Sequence, residues 1–321
     1  MPDGSVIGVS GVCGTLAAEW RDIDALASDG LLSSAPGVLR EFGFNRAHMA
    51  NPASGAGPLV LAAARAALED AALSPTDIDL LIWAGARPES HVRPPRGGTS
   101  ADVFDGFRYQ SAWLQEELGL DNADVLAVAQ QGCSTMFSAL RVARSILISE
   151  PSRSHALCVG GDVLPAGASR EILYNVISDG ACAVVLSRDA MSDRWVGFRQ
   201  ISCGFYADPI ERAPEIMAAY FPLARQVILE TLDAHGLRPD DIDIVIPTGV
   251  NQASWSILTR LVGIPEDRVY RRSESFGHTI LADNFIHLHE LRRDGLVRPG
   301  QRMLLFTYGF GSSWCALVLE H

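Results

Sequence analysis

The chain contains no lysine, so every fixed side-chain cation is an arginine. A Schiff-base lysine, pyridoxal phosphate chemistry through lysine and a Walker A phosphate loop are therefore excluded. None of the six cysteines (Cys13, Cys133, Cys158, Cys182, Cys203, Cys315) forms a CxxC or other metal-ligand spacing, so no metal site is expected. No apolar run reaches membrane-spanning length. The Met-Pro-Asp-Gly-Ser start has no basic segment ahead of an apolar one, so no signal peptide is expected. A reducing cytoplasm with free thiols is the expected setting. A formal charge of −12 argues against nucleic acid as a partner, and no membrane partner is expected either. With 321 residues, 48% of them hydrophobic and 20% charged, the chain has enough apolar material for a large globular core.

What is present begins with a repeat. Ala67-Leu-Glu-Asp-Ala-Ala-Leu-Ser-Pro-Thr-Asp-Ile-Asp-Leu-Leu-Ile82 is matched by Thr231-Leu-Asp-Ala-His-Gly-Leu-Arg-Pro-Asp-Asp-Ile-Asp-Ile-Val-Ile246, at a constant offset of 164 residues. Each copy reads as a helix, a proline-containing turn and a buried strand. A further helix and two apolar strands follow in both halves. The helices run from Met136 to about Ser149 and from about Ala282 to Arg293. The strands are Ala156–Gly160 and Ala181–Leu186, then Met303–Thr307 and Trp314–Leu319. Strands alternating with helices imply a parallel sheet and an α/β fold. A period this long indicates a duplicated domain rather than a solenoid. The expected division is 1–186 and 187–321, with a Pro- and Gly-rich insertion at about 87–112 that is expected to line a cleft or touch a partner subunit.

The candidate nucleophile is Cys133. An apolar run from Asp124 to Ala129 ends in Gln-Gln-Gly132, and Cys133 then opens a helix. The unpaired N–H groups and positive dipole end of a helix favour a thiolate there. The plainer reading is a small buried side chain that packs like alanine. The repeat puts His278 at the equivalent helix start in the second half, so two helix N-termini could face one cleft.

Four segments together resemble the thiolase-fold condensing enzymes, in the ketoacyl-acyl-carrier-protein synthase III-like branch. They are Gly132-Cys133-Ser-Thr-Met-Phe-Ser-Ala-Leu140, Ile177-Ser-Asp-Gly-Ala-Cys-Ala-Val-Val-Leu186, Ile246-Pro-Thr-Gly-Val-Asn251 and Tyr308-Gly-Phe-Gly-Ser-Ser-Trp314. The resemblance spans essentially the whole chain. It implies duplicated αβαβα halves in a five-layer arrangement, a homodimer, and Cys133 as the residue that takes an acyl group. The substrate would be a coenzyme A or phosphopantetheine thioester, carried free or on an acyl carrier protein, with no metal or redox cofactor.

Two departures bear on the reaction. Condensing members carry histidine where this chain has Thr248 and asparagine where it has His278. That pair normally holds the thioester oxygen of a malonyl unit during decarboxylation, and threonine is a poor acid–base group at neutral pH. The His278-Thr-Ile-Leu-Ala-Asp283 spacing resembles acyltransferase offshoots of the family that make esters or amides on natural-product scaffolds. In that reading Asp283 orients His278; the alternative is a helix cap. The resemblance implies an oxyanion hole from the backbone N–H groups of Cys133 and Phe310. It also offers Thr248, Asn251, Arg40 and Arg46 as substrate-binding candidates. For Asn251 a structural hydrogen bond is the first expectation, and for the two arginines surface charge is the equal alternative.

The expected activity is acyl transfer from a thioester through Cys133 to a hydroxyl or amine of a small-molecule acceptor. A condensing synthase and an inactive partner subunit remain as alternatives. His287 and His289 lie two apart on a helix, point in different directions and lack a third ligand, so one buried and one exposed histidine are expected rather than a metal site. His91 reads as an ordinary loop residue.

Overall fold

The computed structural model describes residues 6–87, 109–272, 276–310 and 312–321. Its central element is a run of nine strands: β1 (Ile7–Leu16), β2 (Leu80–Gly85), β3 (Asp124–Ala129), β4 (His155–Asp162), β5 (Gly180–Arg188), β6 (Arg194–Ser202), β7 (Ile244–Ile246), β8 (Arg302–Gly309) and β9 (Ser313–Glu320). The spatial order is β7-β8-β9-β6-β1-β5-β4-β2-β3. Strands from the first half and strands from the second meet at one bridge, Gly8 to Arg194.

The sheet is mixed, where the alternation of strands and helices had implied a parallel one. β2 runs parallel to β3 and β4, and β7 parallel to β8, because helices make those crossovers. β4 and β5 are antiparallel, as are β8 and β9. Between β8 and β9 lie residues 310–312 alone, a connection too short for anything but a hairpin.

Helices α1 (Gly57–Asp70), α2 (Gln110–Leu118), α3 (Thr135–Ser149), α4 (Ala213–Asp233), α5 (Gln252–Val262) and α6 (Asp283–Arg293) pack on these strands. The strand residues sort them into layers, since alternate side chains leave a strand on opposite faces. Leu80, Ile82 and Ala84 turn inward to a cluster containing Met136, Phe137 and Leu140 of α3 and Phe285 and Ile286 of α6. Leu81 and Trp83 turn outward to Ala63, Ala64 and Ala67 of α1 and Leu114 of α2. In the second half Met303 and Leu305 join the inner cluster. Leu304 and Phe306 pack outward on Val227 and Ile228 of α4 and Trp255 and Leu258 of α5. The result is the αβαβα stack. Its middle layer is α3 and α6, which touch through Phe137 and Phe285 with ring centroids 5.6 Å apart.

The duplication is visible in individual hydrogen bonds. Asp77 accepts the Ser74 N–H at 2.7 Å, and Asp241 accepts the Arg238 N–H at 2.7 Å. Asp79 accepts the N–H that begins β4, His155 at 3.0 Å, and Asp243 accepts the N–H that begins β8, Arg302 at 2.8 Å. Each pair is offset by the same 164 residues. The aspartates end the helix–turn units and start the next strand pairing in register. Among the described residues no helix is long and apolar enough to cross a membrane.

Asp179 anchors the segment that leads to the site. Its carboxylate takes the Arg170 guanidinium in two bonds, 2.6 and 3.0 Å, and the N–H groups of Ala50 and Leu164 at 2.8 and 3.0 Å. The pair is buried, with side-chain exposures of 2% and 0%. Between its two members runs a short hairpin, Glu171–Ile172 against Asn175–Val176. Removing one member of a buried pair leaves the other charge stranded. Asp179→Ala is therefore expected to lower the unfolding free energy by about 3–5 kcal/mol, to be measured by urea denaturation.

Candidate active site

Cys133 reaches its position through a tight turn. β3 ends at Ala129, and Gln130 (φ 67°) and Gly132 (φ 53°) both adopt left-handed backbone conformations before a 3₁₀ turn, Gly132–Ser134, leads into α3. A side chain at Gly132 would put its Cβ 2.6 Å from the Phe310 carbonyl oxygen and 2.7 Å from the Phe310 nitrogen. At Gly309 a Cβ would fall 1.9 Å from the Gln131 carbonyl oxygen. Glycine at both positions is what lets the turn carrying Cys133 lie directly against the β8–β9 turn. Among the described residues neither the Cys133 nor the Phe310 N–H is spent on a hydrogen bond.

His278 comes from the other half and is clamped through its backbone. Its N–H donates to Val176 O at 2.7 Å, and its carbonyl accepts the Ser178 N–H at 2.9 Å. The imidazole Nε2 lies 3.2 Å from Cys133 Sγ. On its far side Nδ1 lies 2.5 Å from Asp283 Oδ2. Asp283 is the first residue of α6, with Ala282 at the N-cap. Its carboxylate folds back rather than capping the helix: Oδ1 accepts the Thr279 N–H at 2.7 Å and the Thr279 hydroxyl at 2.6 Å, and Oδ2 accepts the Gly249 N–H at 2.7 Å. Cys133, His278 and Asp283 thus form one continuous line, with Nδ1–H directed at the carboxylate and Nε2 at the sulfur.

Burial opposes charge on this pair, yet the opposite charges prevail. Burial would push the His278 imidazole down, but the Asp283 carboxylate, then Cys133, hold it well above its usual value. Burial would raise Asp283, but His278 and the Thr279 hydrogen bonds hold it below the ordinary carboxylate range. His287, by contrast, is pushed down to about 4 by burial, partly offset by its bond to the Pro247 carbonyl, and stays neutral.

The line opens on a cavity of about 910 Å³. Its wall includes Cys133, His278 and Phe310 together with Tyr174, Ile216, Met217, Tyr220, Phe221, Ile280 and Tyr308. Burial, then Cys133 nearby, push the phenols of Tyr220 and Tyr308 up, so both stay neutral.

The remaining candidates divide. Asn251 lines the cavity but acts structurally, its Oδ1 capping α5 by accepting the Ser254 N–H at 3.0 Å and hydroxyl at 2.9 Å. Thr248 is buried beside the cavity, lining a smaller recess with Gly249, Phe276 and His287. Arg40 and Arg46 are not cavity residues. Arg40, on the short helix Pro36–Glu41, pairs with Asp24, and Arg46, on the strand Arg46–His48, lies 4.5 Å over the Trp20 ring. Both occupy an outlying layer where charge is solvated at low cost. His287 is buried as expected, whereas His289 is half-buried and bonded to the Val12 carbonyl at 2.9 Å rather than exposed. Among the described residues no three His, Cys, Asp or Glu side chains gather as a metal site. His91 and most of the 87–112 insertion lie outside the described residues. Nothing local marks Tyr220, and Tyr308 opens the glycine-rich Tyr308–Trp314 segment without being marked by it as a cavity residue: both reach the cavity by helix rotation and strand register.

Two duplicated α/β halves stacked as αβαβα, with a thiol at the start of a middle-layer helix, are the thiolase-like fold, and comparison with known proteins narrows it. Residues 129–204 match the 3-oxoacyl-[acyl-carrier-protein] synthase III family, and residues 232–321 match its C-terminal family, together more than half of the chain. The β-ketoacyl-[acyl-carrier-protein] synthase III of Sphingopyxis alaskensis is 29% identical over 307 residues, 88% of this chain and 89% of that one. That of Rhizorhabdus wittichii is 26% identical over 307 residues, 88% and 90% of the two chains. The crystal structure of 3-oxoacyl-[acyl-carrier-protein] synthase III from Aquifex aeolicus superimposes with a TM-score of 0.83 at 22% identity, covering 98% of this chain and 100% of that one. The acyltransferase ChlB3 superimposes with a TM-score of 0.82 at 20% identity, covering 98% and 97%. The chain belongs to the ketoacyl-acyl-carrier-protein synthase III-like branch of the thiolase-fold condensing-enzyme superfamily, a family of enzymes.

The charge pair carries a pH signature. A raised His278 stabilises the fold fully below about pH 6.5 and loses that contribution as pH rises through its folded value. A lowered Asp283 contributes above about pH 3.9 and loses it as pH falls through its folded value. The stability lost in Asp283→Asn is therefore expected to be greatest between about pH 3.9 and 6.5, to shrink on either side, and to vanish once pH passes the folded value of each group. Urea denaturation across pH measures it, and the His278 imidazole should titrate lower in the variant by NMR.

Proposed function

We propose that the protein is an acyltransferase that moves an acyl group from a coenzyme A or acyl-carrier-protein thioester through Cys133 to a hydroxyl or amine of a small molecule, in natural-product biosynthesis. The proton shared between Cys133 Sγ and His278 Nε2 rests on Nε2, where the Asp283 carboxylate favours it, as Sγ attacks the thioester carbonyl. The tetrahedral intermediate collapses, the substrate carbon–sulfur bond breaks, and the leaving thiolate takes the proton from His278. An acceptor O–H or N–H then gives its proton to Nε2 as it attacks the acyl-enzyme, and collapse releases the ester or amide and Cys133. Asp283 holds the tautomer and stabilises the imidazolium. The free N–H groups of Cys133 and Phe310 are assigned to the oxyanion. No metal or redox cofactor enters these steps.

The observation that carries this reading is the unbroken line of 3.2 Å from Sγ to Nε2 and 2.5 Å from Nδ1 to the carboxylate. It supplies general acid–base chemistry on the histidine. Thr248 supplies none at the second position where condensing members carry a histidine. Carbon–carbon bond formation is the second reading, favoured by the synthase III relatives.

The protein is expected to show ping-pong kinetics and an acyl adduct by intact mass that is lost in Cys133→Ala. In Asp283→Asn, kcat is expected to fall on the order of 10²–10⁴-fold. Labelled carbon dioxide from a malonyl thioester, with a new carbon–carbon bond in the product, would decide for condensation. Absence of any adduct across a broad thioester panel would decide for an inactive partner subunit.

We also propose a homodimer. β3 lies at the edge of the sheet, and its run Val125-Leu-Ala-Val-Ala129 is half-buried or exposed throughout. A flat apolar edge is left by proteins that cover it. Leu126→Lys is expected to convert a dimer to a monomer in size-exclusion chromatography with light scattering.

A further inference from the structure

One glutamine, outside the cavity lining, joins the two turns that bear the free N–H groups. Gln200 lies on β6 and projects its amide between them. Its Nε2 lies 3.2 Å from Gln131 Oε1, 2.7 Å from Ser313 Oγ and 3.4 Å from Ser202 Oγ. Its Oε1 accepts from Arg141 Nη1 of α3 at 3.3 Å. Gln131 belongs to the turn that carries Cys133, and its Oε1 also accepts the hydroxyl of Ser138, buried on α3. Ser313 is buried and closes the turn that carries Phe310.

The contacts at Gly132 and Gly309 fix how closely the two turns approach. A contact without side chains resists sliding weakly, so it does not by itself fix the lateral offset between the Cys133 and Phe310 N–H groups. Hydrogen bonds do, because they are directional. We propose that Gln200 is a positioning residue that holds these two donors in register on a single oxyanion, by bonding the Gln131 and Ser313 side chains from the second half of the fold. The inference rests on the acyl-transfer reading above. Gln200 does not line the cavity, so its effect runs through the backbone of the two turns.

Two reactions of the same thiol separate this role from general support. Alkylation of Cys133 by iodoacetamide displaces iodide and forms no oxyanion. Acylation by p-nitrophenyl acetate passes through a tetrahedral oxyanion and expels p-nitrophenolate. In Gln200→Met, which keeps the length and loses the amide, acylation is expected to fall about 10- to 100-fold while alkylation changes less than about twofold, given what one oxyanion donor is worth. Ser313→Ala cuts the other end of the bridge and is expected to act in the same direction, giving a second reading should Gln200→Met fail to fold. Equal losses in both reactions would mean that the glutamine merely supports the turn, and no loss in either would mean that it positions nothing. Each result overturns the proposal while leaving Cys133 acylation intact in the wild-type protein. A wild-type protein that alkylates but takes no acyl group from any ester or thioester sinks the acyl-transfer reading and this proposal with it.

Discussion

The carboxylate of Asp283 is the constraint on which the rest of the site depends. It is fully buried, and a buried charge persists only when its lone pairs are met. Here four hydrogens meet them: one from the His278 imidazole, two from Thr279 and one from the Gly249 backbone. Those partners come from the loop before α6 and the segment after β7, while the carboxylate itself stands at the start of α6. Satisfying one charge therefore draws three pieces of chain together and aims the imidazole at Cys133. The carboxylate that assembles the second half of the site is also the one that makes an imidazolium tenable inside it.

The division of labour follows from duplication. Cys133 and His278 stand near the starts of α3 and α6, the two helices of the middle layer, and each helix packs on the other through the Phe137–Phe285 contact. Neither half has a thiol and an imidazole of its own at this place. The cleft lies where two copies of one unit face each other, and the segments leading into their middle-layer helices carry different residues, a thiol in one and an imidazole in the other.

Much of this was readable in advance, for reasons that can be named. The helix–proline turn–strand units recur at one offset, and aspartates at the same places in each unit make the same hydrogen bonds, so a pattern in the sequence corresponds to a pattern of forces. Asp283 was legible as a histidine partner because both ends of the contact lie only five residues apart in the chain. Gln200, Tyr220 and Tyr308 were not legible. They arrive on β6, α4 and β8, and what brings them to Cys133 is strand register and helix rotation set by the whole core. Arg40 and Arg46, phosphate candidates with surface charge as the equal alternative, pair with Asp24 and stack over the Trp20 ring. The mixed sheet was hidden for a similar reason, since antiparallel pairing between β8 and β9 depends on a three-residue connection rather than on the strands themselves.

The lysine-free composition bears on the acyl transfer proposed above. Thioesters acylate neutral amines without help, and a lysine near the mouth of the cavity would be an acceptor of convenience. Arginine offers no such amine, because its guanidinium keeps its proton at any ordinary pH. The cations that solubilise this fold and hold its ion pairs, Arg170 with Asp179 among them, are chemically silent toward the cargo. A protein built this way presents no lysine amine for an acyl thioester to label.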